Sequence, residues 1–110
     1  MIKFKIGEIY SFIPKNCNYS KILIIVEKFK NGMIVTYSPS INEKEISKDV
    51  IEKEIKNTEI CNNQFSTYTS TFLRDRKVGY IGQLDENLLE KISGILNKEP
   101  RYFNTERNCS

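Results

Sequence analysis

The apolar residues in the N-terminal part of the chain are spaced as in β-strands. Glu8 to Phe12 alternates polar and apolar residues before it meets Pro14, and Ile22 to Val26 is continuously aliphatic. Asn31-Gly32 is the strongest short signal for a hairpin turn, and Met33 to Tyr37 follows it as a second strand. The pattern therefore predicts an antiparallel hairpin that turns at Asn31-Gly32.

A helical spacing replaces this pattern after Pro39, where Glu, Lys and Asp become frequent. Four β-branched residues in this segment share one helical face: Ile46, Val50, Ile51 and Ile55. Ser40-Ile-Asn-Glu43 has the order of a capping box, in which two side chains satisfy free N–H groups of the first turn. We therefore predict a helical insertion around residues 41–56.

The C-terminal half predicts two strands and a terminal helix. Phe65 to Leu73 is rich in aromatic and β-branched residues, which favour a strand, and Arg74 to Lys77 predicts a loop. A short apolar strand with two glycines then runs into Asp85, whose carboxylate can accept hydrogen bonds from the first turn of a helix. The apolar residues after Asp85 repeat on one helical face: Leu88, Leu89, Ile92, Ile95 and Leu96.

These elements predict a mainly β, α+β fold, in which a small barrel or strongly bent sheet is covered by helices. A chain of 110 residues can bury one modest core, so we expect a single domain over residues 1–110 with an irregular tail after about residue 99. The residues predicted to form the core are Ile9, Ile22, Ile24, Val26, Ile34, Phe72, Ile81, Leu84, Leu88, Ile92 and Leu96.

Composition excludes several classes of protein. No apolar run reaches the roughly 18 residues of a membrane span, so we expect a soluble, cytoplasmic protein that does not bind membranes. The three cysteines are far apart and the chain has no histidine, so we expect neither a metal site nor a disulfide framework. No phosphate-binding glycine loop or nucleophile motif indicates a metabolic enzyme, and we expect no cofactor.

The formal net charge of +3 is small, but its distribution is uneven. Residues 1–37 carry six lysines against two glutamates, whereas the acidic residues concentrate in the predicted helices. This distribution is typical of a basic strand face that binds nucleic acid, and equally of an ordinary solvated surface.

Four segments in this order resemble the MazF/PemK family of toxins. These segments are Lys5 to Tyr10, Lys21 to Val26, Met33 to Ser38, and the junction from Lys77 to Ile92. In the family they correspond to a strand with Gly-Asp-Ile, an Arg-Pro-Val-Leu-Val-Val strand, a strand that ends near Thr or Ser, and an Ile-Gly-Thr-Leu-Ser-Glu-Glu segment that begins the last helix. The resemblance implies an SH3-like β-barrel, a homodimer, and a ribosome-independent, sequence-specific endoribonuclease inhibited by a small acidic antitoxin.

The resemblance also implies two catalytic residues, Lys21 and Ser38. Related toxins use an Arg, commonly followed by Pro, at the start of the second strand, and a Thr or Ser at the end of the third. Here Lys21 is the cation nearest to the missing Arg-Pro, and lysine cannot hold a phosphate with two parallel donors as arginine does. Alternatively, Lys21 is a solvated residue at a strand edge, and Ser38 serves the turn before Pro39.

Further residues are candidates for holding the RNA backbone and bases. Arg74 and Arg76 combine cations that pair with phosphate with nearby rings that could stack on bases. Lys15, Tyr19 and Thr36 complete the predicted RNA-binding set, although Thr36 could point to the opposite face of its strand. Aromatic residues on alternating strand positions also pack in cores, so one of Tyr68 and Phe72 is expected to be buried.

Two functions therefore follow from the sequence as hypotheses. The first is a metal-independent endoribonuclease that cleaves single-stranded RNA and leaves a cyclic phosphate and a 5'-hydroxyl. The second is a barrel module that has lost catalysis and binds nucleic acid or a protein partner. The missing Arg-Pro pair favours the module, whereas the strand order and the last helix fit both.

Overall fold

The computed structural model of the protein describes residues 3–13, 20–41, 45–76 and 78–98, and these residues form five strands and three α-helices. The strands are β1 (Glu8–Phe12), β2 (Lys21–Lys28), β3 (Met33–Tyr37), β4 (Phe65–Thr69) and β5 (Gly79–Gln83). The helices are α1 (Lys48–Asn57), α2 (Ser70–Arg74) and α3 (Glu86–Lys98), with a 3-10 helix at Asn62–Gln64.

All neighbouring strands are antiparallel, in the order β4-β3-β2-β1-β5. Ile24 lies at the middle of this order, because it is opposite Ile9 of β1 and Tyr37 of β3. β5 returns from the C-terminal half and pairs with β1, where Gly79 is opposite Ser11. The described strands form an open α+β sheet with helices on it.

The predicted hairpin is confirmed. β2 pairs with β3, and Gly32 adopts a φ of 89°, which an L side chain would strain. The Asn31 side-chain oxygen accepts a hydrogen bond from the Met33 N–H at 3.1 Å, which fixes the turn.

One side of the sheet, which we call the helix face, packs against α1 and α3. Its buried strand residues are Ile9, Ile22, Ile24, Val26, Val35, Tyr37 and Phe65, and the helices and the preceding loop add Ile51, Ile55, Leu84, Leu88, Ile92 and Leu96. Asp85 accepts a hydrogen bond from the Asn87 N–H at 3.0 Å, as predicted for the start of α3. The stripe of apolar residues on α3 is therefore buried as its spacing predicted.

The other side, which we call the aromatic face, holds a second core. Its buried residues are Phe4, Tyr10, Phe12, Leu23, Ile25, Ile34, Tyr68 and Leu73, with Phe72 and Val78 partly buried against them. The eleven predicted core positions include Ile34 but omit Leu23 and Ile25, which are buried because β2 is covered on both of its faces. Phe72 and Ile81, predicted as core, are only partly buried.

Two predicted boundaries are wrong. The insertion helix begins at Lys48 rather than near residue 41, because Ser47, not Ser40, accepts the Val50 N–H as the N-cap. The strand predicted over Phe65 to Leu73 ends at Thr69, whose hydroxyl accepts the Phe72 N–H at 3.0 Å and starts α2.

The predicted tail after residue 99 lies outside the described residues. None of the described helices is long and apolar enough to span a membrane.

Candidate functional site

Lys21 and Ser38 lie on the same face of the sheet. Lys21 is opposite Phe12, and alternation along β2 puts Lys21 on the same side as Ile25. Ile25 is opposite Thr36, and Ser38 follows Thr36 by two residues, just beyond β3. Both candidate residues are therefore on the aromatic face, at the end of the sheet opposite the hairpin turn.

Gln64 holds the backbone of Ser38 on both sides. The Ser38 N–H donates to the Gln64 backbone oxygen at 2.9 Å, and the Gln64 side-chain Nε2 donates to the Ser38 carbonyl at 3.0 Å. Ser38 is 8% exposed, and its Oγ is buried with no hydrogen-bond partner among the described residues. A buried hydroxyl without a hydrogen-bond partner is unusual in a folded protein.

Thr36 has a structural role in this arrangement. Its side chain is 0% exposed, and its hydroxyl donates to the Ser66 backbone oxygen at 3.3 Å across β3 and β4. The structure therefore leaves no surface on Thr36 for a phosphate. The alternative expectation is that Thr36 points to the opposite face of its strand from Ser38. Thr36 instead lies on the same face as Ser38 and is buried there.

Arg76 is connected to this end of the sheet by aromatic rings. The guanidinium carbon lies 4.8 Å from the centre of the Phe72 ring, and Phe72 stacks on Tyr68 with ring centres 5.7 Å apart and planes inclined by 9°. Phe12 meets Phe72 edge-on at 6.2 Å and is opposite Lys21 on β2. The rings therefore link Arg76 to the position of Lys21.

The Arg76 Nε is the second buried polar atom without a partner among the described residues. An ionised guanidinium loses much hydration when it is buried, and its planar N–H groups match an anion. The ring contact keeps the guanidinium in place without neutralising its charge. An anion would therefore satisfy this nitrogen better than a neutral ligand.

The remaining predicted RNA-binding residues are less informative. Arg74 is exposed at the end of α2, and Lys15 and Tyr19 lie outside the described residues. Tyr80 on β5 is 60% exposed and packs edge-on against Tyr10 with ring centres 5.7 Å apart. An exposed ring at a sheet edge is available for stacking, but the structure does not connect it to Ser38.

A cavity of about 310 Å³ lies on the other side of Gln64, between α1 and the 3-10 helix. The Tyr37 hydroxyl donates to the Gln64 Oε1 at 3.3 Å, and both side chains line the cavity. Burial, and then the nearby Cys61 and Glu54, raise the pKa of Tyr37 to about 12, so its hydroxyl stays protonated as a donor. No local pattern indicates Gln64, because it lies 26 residues from Ser38 in the chain.

The chemistry at this end of the sheet suits an anion rather than a metal. Ser38 supplies a hydroxyl and Arg76 a guanidinium, and Lys21 starts the neighbouring strand. No group of three or more His, Cys, Asp or Glu side chains within the described part of the chain could hold a metal ion. A hydroxyl, an ammonium and a guanidinium are all groups that can donate hydrogen bonds to an anion.

Comparisons with protein-family models, with curated proteins and with solved structures found no match to this chain. The resemblance to the MazF/PemK toxins therefore rests on the residues themselves.

Proposed function

We propose that the chain is a MazF/PemK-like endoribonuclease that cleaves single-stranded RNA without metal. One observation carries the proposal: Lys21 and Ser38 are on one face and at one end of the sheet. Arg76 is on the same face, over the Phe72 ring, which contacts Phe12, the residue opposite Lys21, and also Tyr68 nearer the hairpin turn. The hairpin of the second and third strands and the last helix fit the family resemblance, whereas α1 lies where the family usually has a strand and loops. We extend the proposal to the SH3-like barrel of that family.

The proposed reaction is attack of an RNA 2'-oxygen on the adjacent phosphorus. The bond from phosphorus to the 5'-oxygen breaks, which leaves a 2',3'-cyclic phosphate and a 5'-hydroxyl. The 2'-hydroxyl proton passes to water and the 5'-oxygen takes a proton from water, because the chain has no histidine. Lys21 stabilises the charge on the phosphate, Ser38 orients it, and Arg74 and Arg76 hold the RNA backbone.

A module that binds RNA without cleaving it is the second candidate. The burial of the Ser38 hydroxyl favours it, because a phosphate reaches this atom only if neighbouring groups move. The lysine at position 21 also favours it, because an ammonium is a point charge without the two parallel donors of arginine.

We also propose that the protein is a cytoplasmic homodimer neutralised by a small acidic antitoxin. Two copies would offer more phosphate contacts than one small domain, and a basic RNA-binding face suits an acidic inhibitor. Light scattering at micromolar concentration would support the dimer by a doubled mass. A strict monomer would refute it.

Cleavage of a single-stranded RNA in EDTA tests the proposed activity. We expect the wild type and Lys28→Ala to cleave, and Lys21→Ala to fold but not to cleave. Lys28 is the matched control because it is an exposed lysine on the same strand at the hairpin end. Normal cleavage by Lys21→Ala would refute the site, cleavage only with added divalent metal would refute the mechanism, and RNA binding without cleavage would establish the module.

A further inference from the structure

Gln64 makes three hydrogen bonds to Tyr37 and Ser38 at the end of β3. Its backbone oxygen accepts the Ser38 N–H, and its side-chain Nε2 donates to the Ser38 carbonyl. Its Oε1 accepts the Tyr37 hydroxyl at 3.3 Å. One side chain therefore connects two consecutive residues at the end of β3.

The Tyr37 contact sets the direction of the Gln64 amide. A tyrosine hydroxyl that donates a hydrogen bond needs an acceptor, so the amide oxygen faces Tyr37 and the amide nitrogen faces Ser38. Rotation of the amide by half a turn would turn its oxygen towards the Ser38 carbonyl, which can only accept, and that bond would be lost. Gln64 therefore offers Ser38 a donor of fixed orientation.

Both backbone polar groups of Ser38 are therefore hydrogen-bonded, whereas its side-chain hydroxyl is not. The Ser38 N–H and carbonyl both bond to Gln64, and the Oγ has no partner among the described residues. We propose that Gln64 is a positioning residue that fixes the backbone of Ser38, so that its hydroxyl meets the scissile phosphate once the groups that bury it move. This inference rests on the proposed function, and it adds a residue to which that function assigns no role.

Gln64→Glu is the sharpest test, because it keeps the shape and the acceptor for Tyr37 but removes the donor to the Ser38 carbonyl. At neutral pH we expect kcat for RNA cleavage to fall about tenfold with little change in KM, since one hydrogen bond that orients a reacting group is lost. When the introduced carboxyl takes up a proton, near its ordinary pKa of about 4.3, it becomes a donor again. The ratio of variant to wild-type kcat should then recover.

Two variants serve as controls for this pH profile. Gln64→Leu removes donor and acceptor together, so its kcat ratio should stay low at every pH. Gln83, on β5, is a second glutamine whose Nε2 donates to a backbone carbonyl, that of Ile6, at 3.3 Å. The kcat of Gln83→Glu should match that of the wild type. The other titratable groups around the cavity are Tyr37, Glu54, Glu59 and Cys61, and the ratio to wild type at each pH cancels their own titration.

An NMR readout separates this inference from the proposed activity. We expect the carbonyl carbon shift of Ser38 to change in Gln64→Glu and to return towards the wild-type value at low pH, whether or not RNA is cleaved. Neutral-pH kcat equal to wild type, or an unchanged Ser38 shift, would overturn the positioning role. A wild-type protein that cleaves no RNA would refute the proposed enzyme, and the Ser38 shift would still decide whether Gln64 holds Ser38.

Discussion

The two faces of the sheet differ in how they are covered and in how their polar atoms are paired. The helix face is largely aliphatic and lies under two amphipathic helices, α1 and α3. The aromatic face lies under the short α2 and is rich in rings, of which Phe72 is only partly buried. Both buried polar atoms without a partner in the described part of the chain, on Ser38 and Arg76, are associated with the aromatic face.

This difference separates stability from binding. Aliphatic side chains under helices bury apolar surface without polar groups that need a partner, so the helix face can contribute most of the stability. Unpartnered buried donors cost free energy in the free protein and gain a partner when an anion binds. We therefore expect mutations in the helix-face core to change stability without changing RNA binding, and mutations of the polar groups on the aromatic face to change RNA binding.

The largest expected effect is on the helix face. Ile92 is fully buried on α3, and Ile92→Ala should lower the free energy of unfolding by about 2 to 5 kcal/mol because it leaves a cavity between helix and sheet. Urea unfolding with an unchanged m-value measures this loss. Ile13→Ala, at an exposed isoleucine, is the control and should change stability by less than about 0.5 kcal/mol. A loss as small as the control's would show that the helix face is not the main core.

The stripe on α3 that this prediction uses was visible in the sequence, as was the hairpin. Asp85 and the spacing of Leu88 and Ile92 are local signals, and so is Asn31-Gly32, because each acts within one or two turns of chain. The order of the strands was not predictable, since the pairing of β5 with β1 joins distant segments. The end of β4 was mispredicted because the Thr69 hydroxyl starts a helix within a segment of high strand propensity.

The candidate site was predictable only in part. The hairpin brings the start of β2 near the end of β3, so Lys21 and Ser38 could be expected together. The burial of Ser38 and the contacts of Gln64 depend on the pairing of β3 with β4, which is set by tertiary packing. The contact of Arg76 with Phe72 required the helix α2, which the sequence pattern did not indicate.

The next effect concerns RNA affinity on the aromatic face. Arg74→Ala should weaken binding and reduce the salt dependence by about one unit, as expected for one lost phosphate contact. Arg76→Lys keeps the charge but loses the planar group that lies over Phe72, so affinity should fall about two- to fivefold with the salt slope retained. Fluorescence anisotropy at several salt concentrations measures both. Wild-type affinity of Arg76→Lys would mean that the ring contact has no part in binding.

A smaller effect tests how the two helices of the helix face are joined. The Lys91 Nζ donates to the Ile55 carbonyl at 2.6 Å and to the Thr58 carbonyl at 2.9 Å, at the negative end of the α1 dipole. Lys91→Met keeps the aliphatic stem and should cost about 1 kcal/mol in unfolding free energy, with RNA affinity unchanged. Lys53→Met, an exposed lysine on α1, is the control. Similar stability of both variants would remove this role of Lys91.

An effect of similar size to that of Lys91 appears at alkaline pH. Because the folded-state pKa of Tyr37 is raised from 10.0 to about 12, its stabilising contribution is complete below pH 10 and is lost as pH rises from 10 through 12. Tyr37→Phe cannot ionise, so its unfolding free energy should decline less than that of the wild type over this range. Urea unfolding at pH 9 and pH 11 gives the comparison, and the other tyrosines titrate in both proteins. Parallel declines would show that burial does not perturb Tyr37.

The assignment of binding to the aromatic face is tested most directly by NMR titration with a single-stranded RNA. A 2'-O-methyl group at each sugar blocks the attacking 2'-oxygen and so prevents cleavage during the measurement. We expect the amide shifts to change most at Lys21, Ser38 and Arg76, with little change along α1 and α3. Changes confined to α1 and α3, or no changes at a saturating concentration of the oligonucleotide, would contradict the division of the molecule into a stabilising helix face and a binding aromatic face.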